Sequence, residues 1–455
     1  MDQYERNQNK FIDWPIDKKW LVPFMVGFGT FLIGLWLYFC FPKIAEEIYN
    51  NSFSKCEKCQ NKKKISYSAK IIVKDSLITP IEIIDVSKTE RYEKTGPIGD
   101  SFGGTIGPIV GLIAAYLTFL AFWIQYLANE QQRNDIKIER FENKFYEMIR
   151  LHRANIDELK YTKYDNGELR TSENRKVFRV ISREFSECLL EIKRFRLIYS
   201  NMEIFNPEYK KQLESIRKKN KCKGNIEELA IIDIAFCIIY FGLSKESDNV
   251  MLNLFYNRYN RAFYGRLIRY LKLKPKEDQL LHYSNWKIFV SLNKARIRTI
   301  FEEIYNRKRQ PRIPLSNEAR ALILNFEKYK YYGGHQHRLG HYFRHLFQTY
   351  SFLSAQISLN HTEKYLYGKT LRAQLSTYEQ FLLFANSLSS LGMSWEYTFE
   401  TNNNYISSKY SIEDFKFVTR YNLIKNLPGS KFYDITFREY YPKVNFEYRE
   451  DISYR

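Results

Sequence analysis

The 455-residue chain lacks several familiar signatures. It contains no Walker loop, no dinucleotide glycine fingerprint, no HExxH and no Gly-x-Ser-x-Gly, so the common NTPase, zinc-protease and hydrolase readings have no support. Cysteine is scarce, with six in all, and Cys40, Cys188, Cys222 and Cys237 are scattered. Only Cys56 and Cys59 stand close together. A lone Cys-x-x-Cys lacks the second ligand pair of a zinc site, and no histidine lies near enough to complete one. We therefore expect a disulfide there or no special role, and neither a metal nor a cofactor. Low-complexity tracts and clear internal repeats are also missing. Acidic residues are outnumbered: of a net charge of +20, an excess of 18 falls in residues 129–455, where 56 basic side chains face 38 acidic ones. Such a basic segment favours nucleic acid or an anionic membrane leaflet as a neighbour.

Two long apolar runs stand out against this polar background. Residues 20–41, from Trp20 to Phe41, carry no charge, and at about 1.5 Å per residue they can cross a hydrocarbon core of about 30 Å. Residues 106–128, from Ile106 to Ala128, form a second candidate span with Gln125 as the one strongly polar side chain. Its approach is glycine-rich (Gly99, Gly103, Gly104, Gly107), which suits close packing between membrane helices. Lys10, Lys18 and Lys19 precede the first run, and Arg133, Lys137, Arg140 and Lys144 follow the second, so both termini are expected in the cytoplasm. The expected organisation is a cytoplasmic N-terminus (1–19), a span (20–41), an extracytoplasmic segment (42–105), a second span (106–128) and a cytoplasmic helical effector domain (129–455). A β-branched run from Ile71 to Val86 predicts a small β-rich element between the spans.

Beyond the second run, Phe141, Phe145, Met148, His152, Ile156 and Leu159 repeat at steps of three and four, the mark of one helix face. Similar stripes cover Val177–Phe195, Ile226–Leu243, Met251–Leu271, Ala319–Tyr331, Leu339–Leu359, Ser376–Leu391 and Ile412–Leu427. The fold class is therefore mostly α. The stretch Ile231–Leu243 is too short for a third span and contains Asp233, so a buried core helix is expected. Lys210–Lys223 and Arg307–Arg312 read as basic loops, and Phe432–Tyr448 as extended.

One segment concentrates reactive side chains. Gly333–Phe347 holds four of the seven histidines. On a helix, Leu339, Phe343, Leu346, Tyr350 and Leu353 share a face, opposite His337, Arg338, His341, Arg344, His345 and Gln348. His337, His341 and His345 are spaced for metal chelation, but no carboxylate or thiolate joins them. Arg338 and His345 match the Arg-x(4 to 6)-His pattern of the HEPN ribonucleases, where histidine acts as acid or base and arginine holds the scissile phosphate. A phosphate-binding or sensing surface and a solvated polar helix face are the alternatives.

The chain resembles the phage abortive infection proteins, bacterial membrane-anchored defence proteins. The resemblance rests on Ile98–Pro108 with Phe119–Gln125, on Arg140–Phe145 running to His152, on His341–Phe347, and on Tyr367–Glu379 ending near Asn386. It implies a role in halting phage propagation by disabling the infected cell. By resemblance, Arg344, Arg372 and Glu379 join His341 as candidates for phosphate or partner binding. A buried salt-bridge network is the alternative for Arg344, Arg372 and Glu379. We expect an effector that perturbs the inner membrane; a membrane-tethered HEPN-like ribonuclease using His345 and Arg338, or a non-enzymatic sensor, are the alternatives. Partners to consider are the inner membrane, nucleic acid or a phage-derived trigger, and a second copy of the chain.

Overall fold

The computed structural model describes residues 25, 27–36, 39–40, 43, 86–165, 167–307, 314–324, 329–397 and 416–447. Contacts divide the chain into two units, Met1–Ile136 and Lys137–Arg455.

In the first unit a short apolar helix, α1 (Gly27–Trp36), packs on the apolar part of a long helix, α2 (Val86–Asp157). Glycines let the two approach: a Cβ at Gly27 would stand 3.1 Å from the Tyr116 ring, and one at Gly34 would stand 3.3 Å from Leu112. The rings of Phe31 and Tyr116 lie 5.7 Å apart. Of the glycine-rich approach, Gly104 and Gly107 have nothing within 4 Å in this chain. Among the described residues, one helix is long and apolar enough to cross a membrane, the part of α2 from Ile106, and none of its apolar window is buried. Most of the expected flanks of the first span, Cys56, Cys59 and the β-rich element before Val86 lie outside the described residues. Residues 86–105, assigned from sequence to the segment between spans, are helical.

The second unit is built almost wholly of helices. After α2 comes one antiparallel hairpin, β1 (Lys160–Asp165) and β2 (Glu168–Glu173), with Lys160 opposite Glu173. Its strands precede the central helices α3 (Lys176–Ile198), α4 (Pro207–Lys219) and α5 (Ile226–Phe241). Next are α6 (Lys245–Phe255), α7 (Arg261–Leu271), α8 (Leu280–Ser291), α9 (Lys294–Asn306) and α10 (Asn317–Leu322). The last long helices are α11 (Gln336–Ser354), α12 (His361–Arg372) and α13 (Thr377–Leu388). Helices α3, α5 and α13 pack on one another and form the centre of the core.

Local chemistry explains many helix starts. Asn206, Asn225, Ser244, Asn260, Asn293, Ser316, Asn360 and Ser376 each accept a backbone N–H in the first turn, a bond that satisfies an otherwise orphaned donor. Asn360 with Glu363, and Ser376 with Glu379, form complete capping boxes. These caps also correct two expectations. The stripe Met251–Leu271 is broken into α6 and α7 by the Asn260 cap. Lys210–Lys219 is helix rather than loop, started by Asn206 and Pro207 and ended by Arg217, Lys218 and Lys219, whose charges suit a helix C-terminus. Phe432–Tyr448 is likewise not extended over its described part: Phe432 bridges to Ile435, and Phe437–Tyr440 is a helical turn, α15, preceded by α14 (Phe417–Arg420).

Candidate functional site

The histidine-rich helix α11 is set by its apolar stripe and by a backbone crossing. Leu339, Phe343, Leu346, Tyr350 and Leu353 are all buried, as their spacing predicts. At its entrance the segment Tyr332–His335 crosses the end of α5. The Leu243 N–H donates to the Tyr332 carbonyl at 3.0 Å, and the His335 N–H to the Ile239 and Tyr240 carbonyls at 2.9 Å. Gly242 and Gly334 have φ of 79° and 82°, in the left-handed region. A Cβ on Gly334 would stand 2.6 Å from the Phe241 carbonyl, and one on Gly242 would stand 2.7 Å from Gly333, so only glycine permits this approach.

The polar side of α11 divides in two. His337, His341 and Arg344 line an open pocket of about 500 Å³ together with Gly333, Gly334, Ser244 and Glu246. These side chains are exposed and project into a concave space where an anionic group could meet two imidazoles and a guanidinium. Burial and the nearby Arg338 charge lower the His337 pKa.

Arg338 and His345 leave this pocket. Arg338 lies over the Tyr161 ring at 4.5 Å, donates through Nε to the Lys160 carbonyl at 3.0 Å, and places a guanidinium nitrogen 3.2 Å from His335 Nδ1. His345 stacks on His152 with ring centroids 6.0 Å apart, and its Nδ1 is buried without a hydrogen-bond partner. Burial lowers its pKa. The two residues with the HEPN spacing share a side of the helix, but each turns to a different neighbour.

Sequence reasoning missed the groups that hold Arg338. His335 is buried, and its Nε2 lies 2.7 Å from a Glu184 carboxylate oxygen. Since Arg338 can only donate to Nδ1, the proton sits on Nε2 and is donated to Glu184. Tyr161 Oη donates to the same carboxylate at 2.6 Å, and Lys163 Nζ stands 3.3 Å away. Burial by itself would raise the Glu184 pKa, but His335, Lys163 and Tyr161 outweigh it and hold it at about 2. A signal was present in the sequence: Glu184 falls among the apolar positions Ile181, Phe185 and Cys188, where a carboxylate must find partners.

The remaining candidates are structural in their contacts. Arg372 is buried and donates to the Tyr421 carbonyl at 2.8 Å and the Asn422 carbonyl at 3.3 Å. Glu379 is fully buried, closes the α13 capping box, accepts from Tyr342 Oη at 3.0 Å and lies 3.9 Å from Arg175. His152 is fully buried too, with neither ring nitrogen hydrogen-bonded. Burial, then the charges of His345 and Arg175, depress its pKa to about 3. No group of three or more His, Cys, Asp or Glu suited to a metal occurs among the described residues.

No curated protein and no solved structure matches the chain. A family model does match, over residues 334–432, and its description is "Putative phage abortive infection protein". The matched stretch opens at Gly334, in the lining of the pocket, and contains α11, α12 and α13. Over residues 334–432, therefore, the chain is similar to the phage abortive infection protein family.

Proposed function

We propose that the chain is a membrane-tethered effector of abortive infection that detects infection through its basic helical unit and then disables the cell by perturbing the inner membrane. The observation that carries this reading is the unburied apolar stretch of α2, with Ile106, Val110, Ile113, Leu117, Phe122 and Ile124 all exposed. At about 25 cal/mol per Å² of apolar surface, leaving such a stretch in water would be costly, whereas a bilayer solvates it. The basic residues after the stretch support a cytoplasmic location for residues 129–455. There the pocket on α11 is the proposed point of action of the trigger, with His341 and Arg344 as its binding groups.

Phage challenge of cells expressing the intact chain tests this directly, with membrane potential, dye entry and RNA integrity followed together. Depolarisation and dye entry before lysis are the expected result. Fragmented RNA in polarised cells would replace this reading with a tethered ribonuclease, and neither change would leave a sensor. Arg344→Ala should abolish protection while leaving thermal stability within about 0.5 kcal/mol, because the side chain is exposed.

A further inference from the structure

A second cavity, of about 500 Å³, lies between the β1–β2 hairpin and α3, away from the α11 pocket, and its lining is dominated by cations: Lys163, Arg170, Lys176, Arg179 and Arg183. The carboxylates there are Glu187 and Glu277. Glu187 is already engaged, accepting from Lys274 Nζ at 2.8 Å and Tyr331 Oη at 2.6 Å. Lys163 is engaged too, 3.3 Å from Glu184.

Lys176, Arg179 and Arg183 differ from these. They stand at i, i+3 and i+7 on one face of α3, are exposed, and form no ion pair or side-chain hydrogen bond among the described residues. Their placement is unfavourable in the unliganded chain for two reasons. Arg179 and Arg183 are like charges four apart on a helix, which repel. Lys176 sits in the first turn of α3, which has no acidic residue, so its charge opposes the positive end of the helix dipole. A bound anion would relieve both costs at once.

We propose that this cavity binds a small ligand carrying at least two linked phosphates, held by Lys176, Arg179 and Arg183. Two guanidinium groups one turn apart can each grip a phosphate through paired N–H donors, and a linked pair of phosphates spans them where one phosphate does not. Ser172 on β2 adds a hydroxyl to the same lining. The volume suits a ligand of nucleotide size. An RNA strand instead requires a groove that continues along its backbone with aromatic platforms, and the hairpin flanks this space.

The test uses the full chain in detergent micelles, with pyrophosphate, ADP and a short single-stranded RNA as calorimetric probes at physiological salt. Saturable one-to-one binding of pyrophosphate is expected, with the dissociation constant raised tenfold or more in the Arg179→Ala/Arg183→Ala double variant. Tighter binding of ADP would show a nucleotide, and equal binding the inorganic diphosphate, both within the proposal. A Lys210→Ala/Lys211→Ala variant removes the same net charge from α4 and should bind as the unsubstituted chain does. Three results overturn the proposal: no saturable binding of pyrophosphate by the folded chain, a rise below tenfold in the double variant, or an equal loss in the α4 variant. Tighter binding of RNA that pyrophosphate does not displace would also overturn it, in favour of a nucleic-acid surface. Thermal melting of each variant keeps the comparison sound, since these exposed side chains should leave stability within about 0.5 kcal/mol.

Discussion

Two helices of this chain are nearly uniformly apolar, and they meet opposite fates. The stretch of α2 after Ile106 buries none of its apolar window, whereas α5 buries Leu229 through Ile239 without a gap. Composition does not separate them; length and the handling of polar groups do. The α5 helix is 16 residues long, short for a bilayer, and carries Asp233 in its middle. That carboxylate is fully buried yet well served, accepting from Tyr259 Oη, Ser390 N–H and Ser390 Oγ, each at 2.5 Å. A helix surrounded by protein can keep a carboxylate because neighbouring elements supply donors. The apolar stretch of α2, with no burial, has no such neighbours among the described residues and carries no carboxylate.

The sharpest way to break this contrast is to remove the buried carboxylate. Asp233→Ala should cost about 3 kcal/mol, because the donors of Tyr259, Ser390 and Cys237 lose their acceptor, and chemical denaturation of the detergent-solubilised chain would measure it. A loss below about 1 kcal/mol would mean that α5 is far less enclosed than described. On the other helix, Leu117→Arg at mid-span should oppose insertion by about 2.5–3.5 kcal/mol if lipid surrounds it, and carbonate extraction would then release a large fraction of the chain. An unchanged membrane fraction would place that face in water. Next, Gly334→Ala should cost about 2 kcal/mol through its left-handed φ and the clash with Phe241, while Gly333→Ala, with nothing within 4 Å, should be tolerated. Equal melting temperatures for the two variants would contradict the crossing.

The smallest effect concerns pH. His152 has its pKa depressed to about 3, so between that value and the ordinary histidine range the unfolded chain binds a proton that the folded chain does not. Stability is therefore fully present above the unfolded pKa and declines as pH falls toward 3. His152→Phe should flatten the melting temperature between pH 7 and pH 5 and cost little at pH 7, since neither ring nitrogen has a partner to lose. A slope identical to that of the unsubstituted chain would assign the pH dependence to other groups.

Much of the fold was legible because its helices announce themselves locally. The stripes Val177–Phe195 and Ser376–Leu391 correspond to α3 and α13, and the exposed apolar run after Ile106 was recognisable from length and charge alone. Where charge and capping disagree, capping decides. Seven basic residues give Lys210–Lys223 the look of a loop, although Asn206 and Pro207 mark a helix start. At the candidate site, the division of α11 into apolar and polar sides was readable from a 3.6-residue period. The partners of its polar side were not, because they come from far along the chain: His335 meets Glu184 across 151 positions, and His345 meets His152 across a comparable span. Periodicity shows which way a side chain points on its own helix, and tertiary approach decides what waits there.

The crossing of Gly242 and Gly334 has a further meaning for how this protein can change over generations. Part of the α11 pocket's lining, at Gly333 and Gly334, is held by main chain in contact with main chain, independently of His337, His341 and Arg344. His337, His341 and Arg344 can be exchanged for other residues without collapsing the hollow they surround. The recognition chemistry is thereby free to drift, for instance in pursuit of an altered trigger, while the scaffold beneath it stays constant.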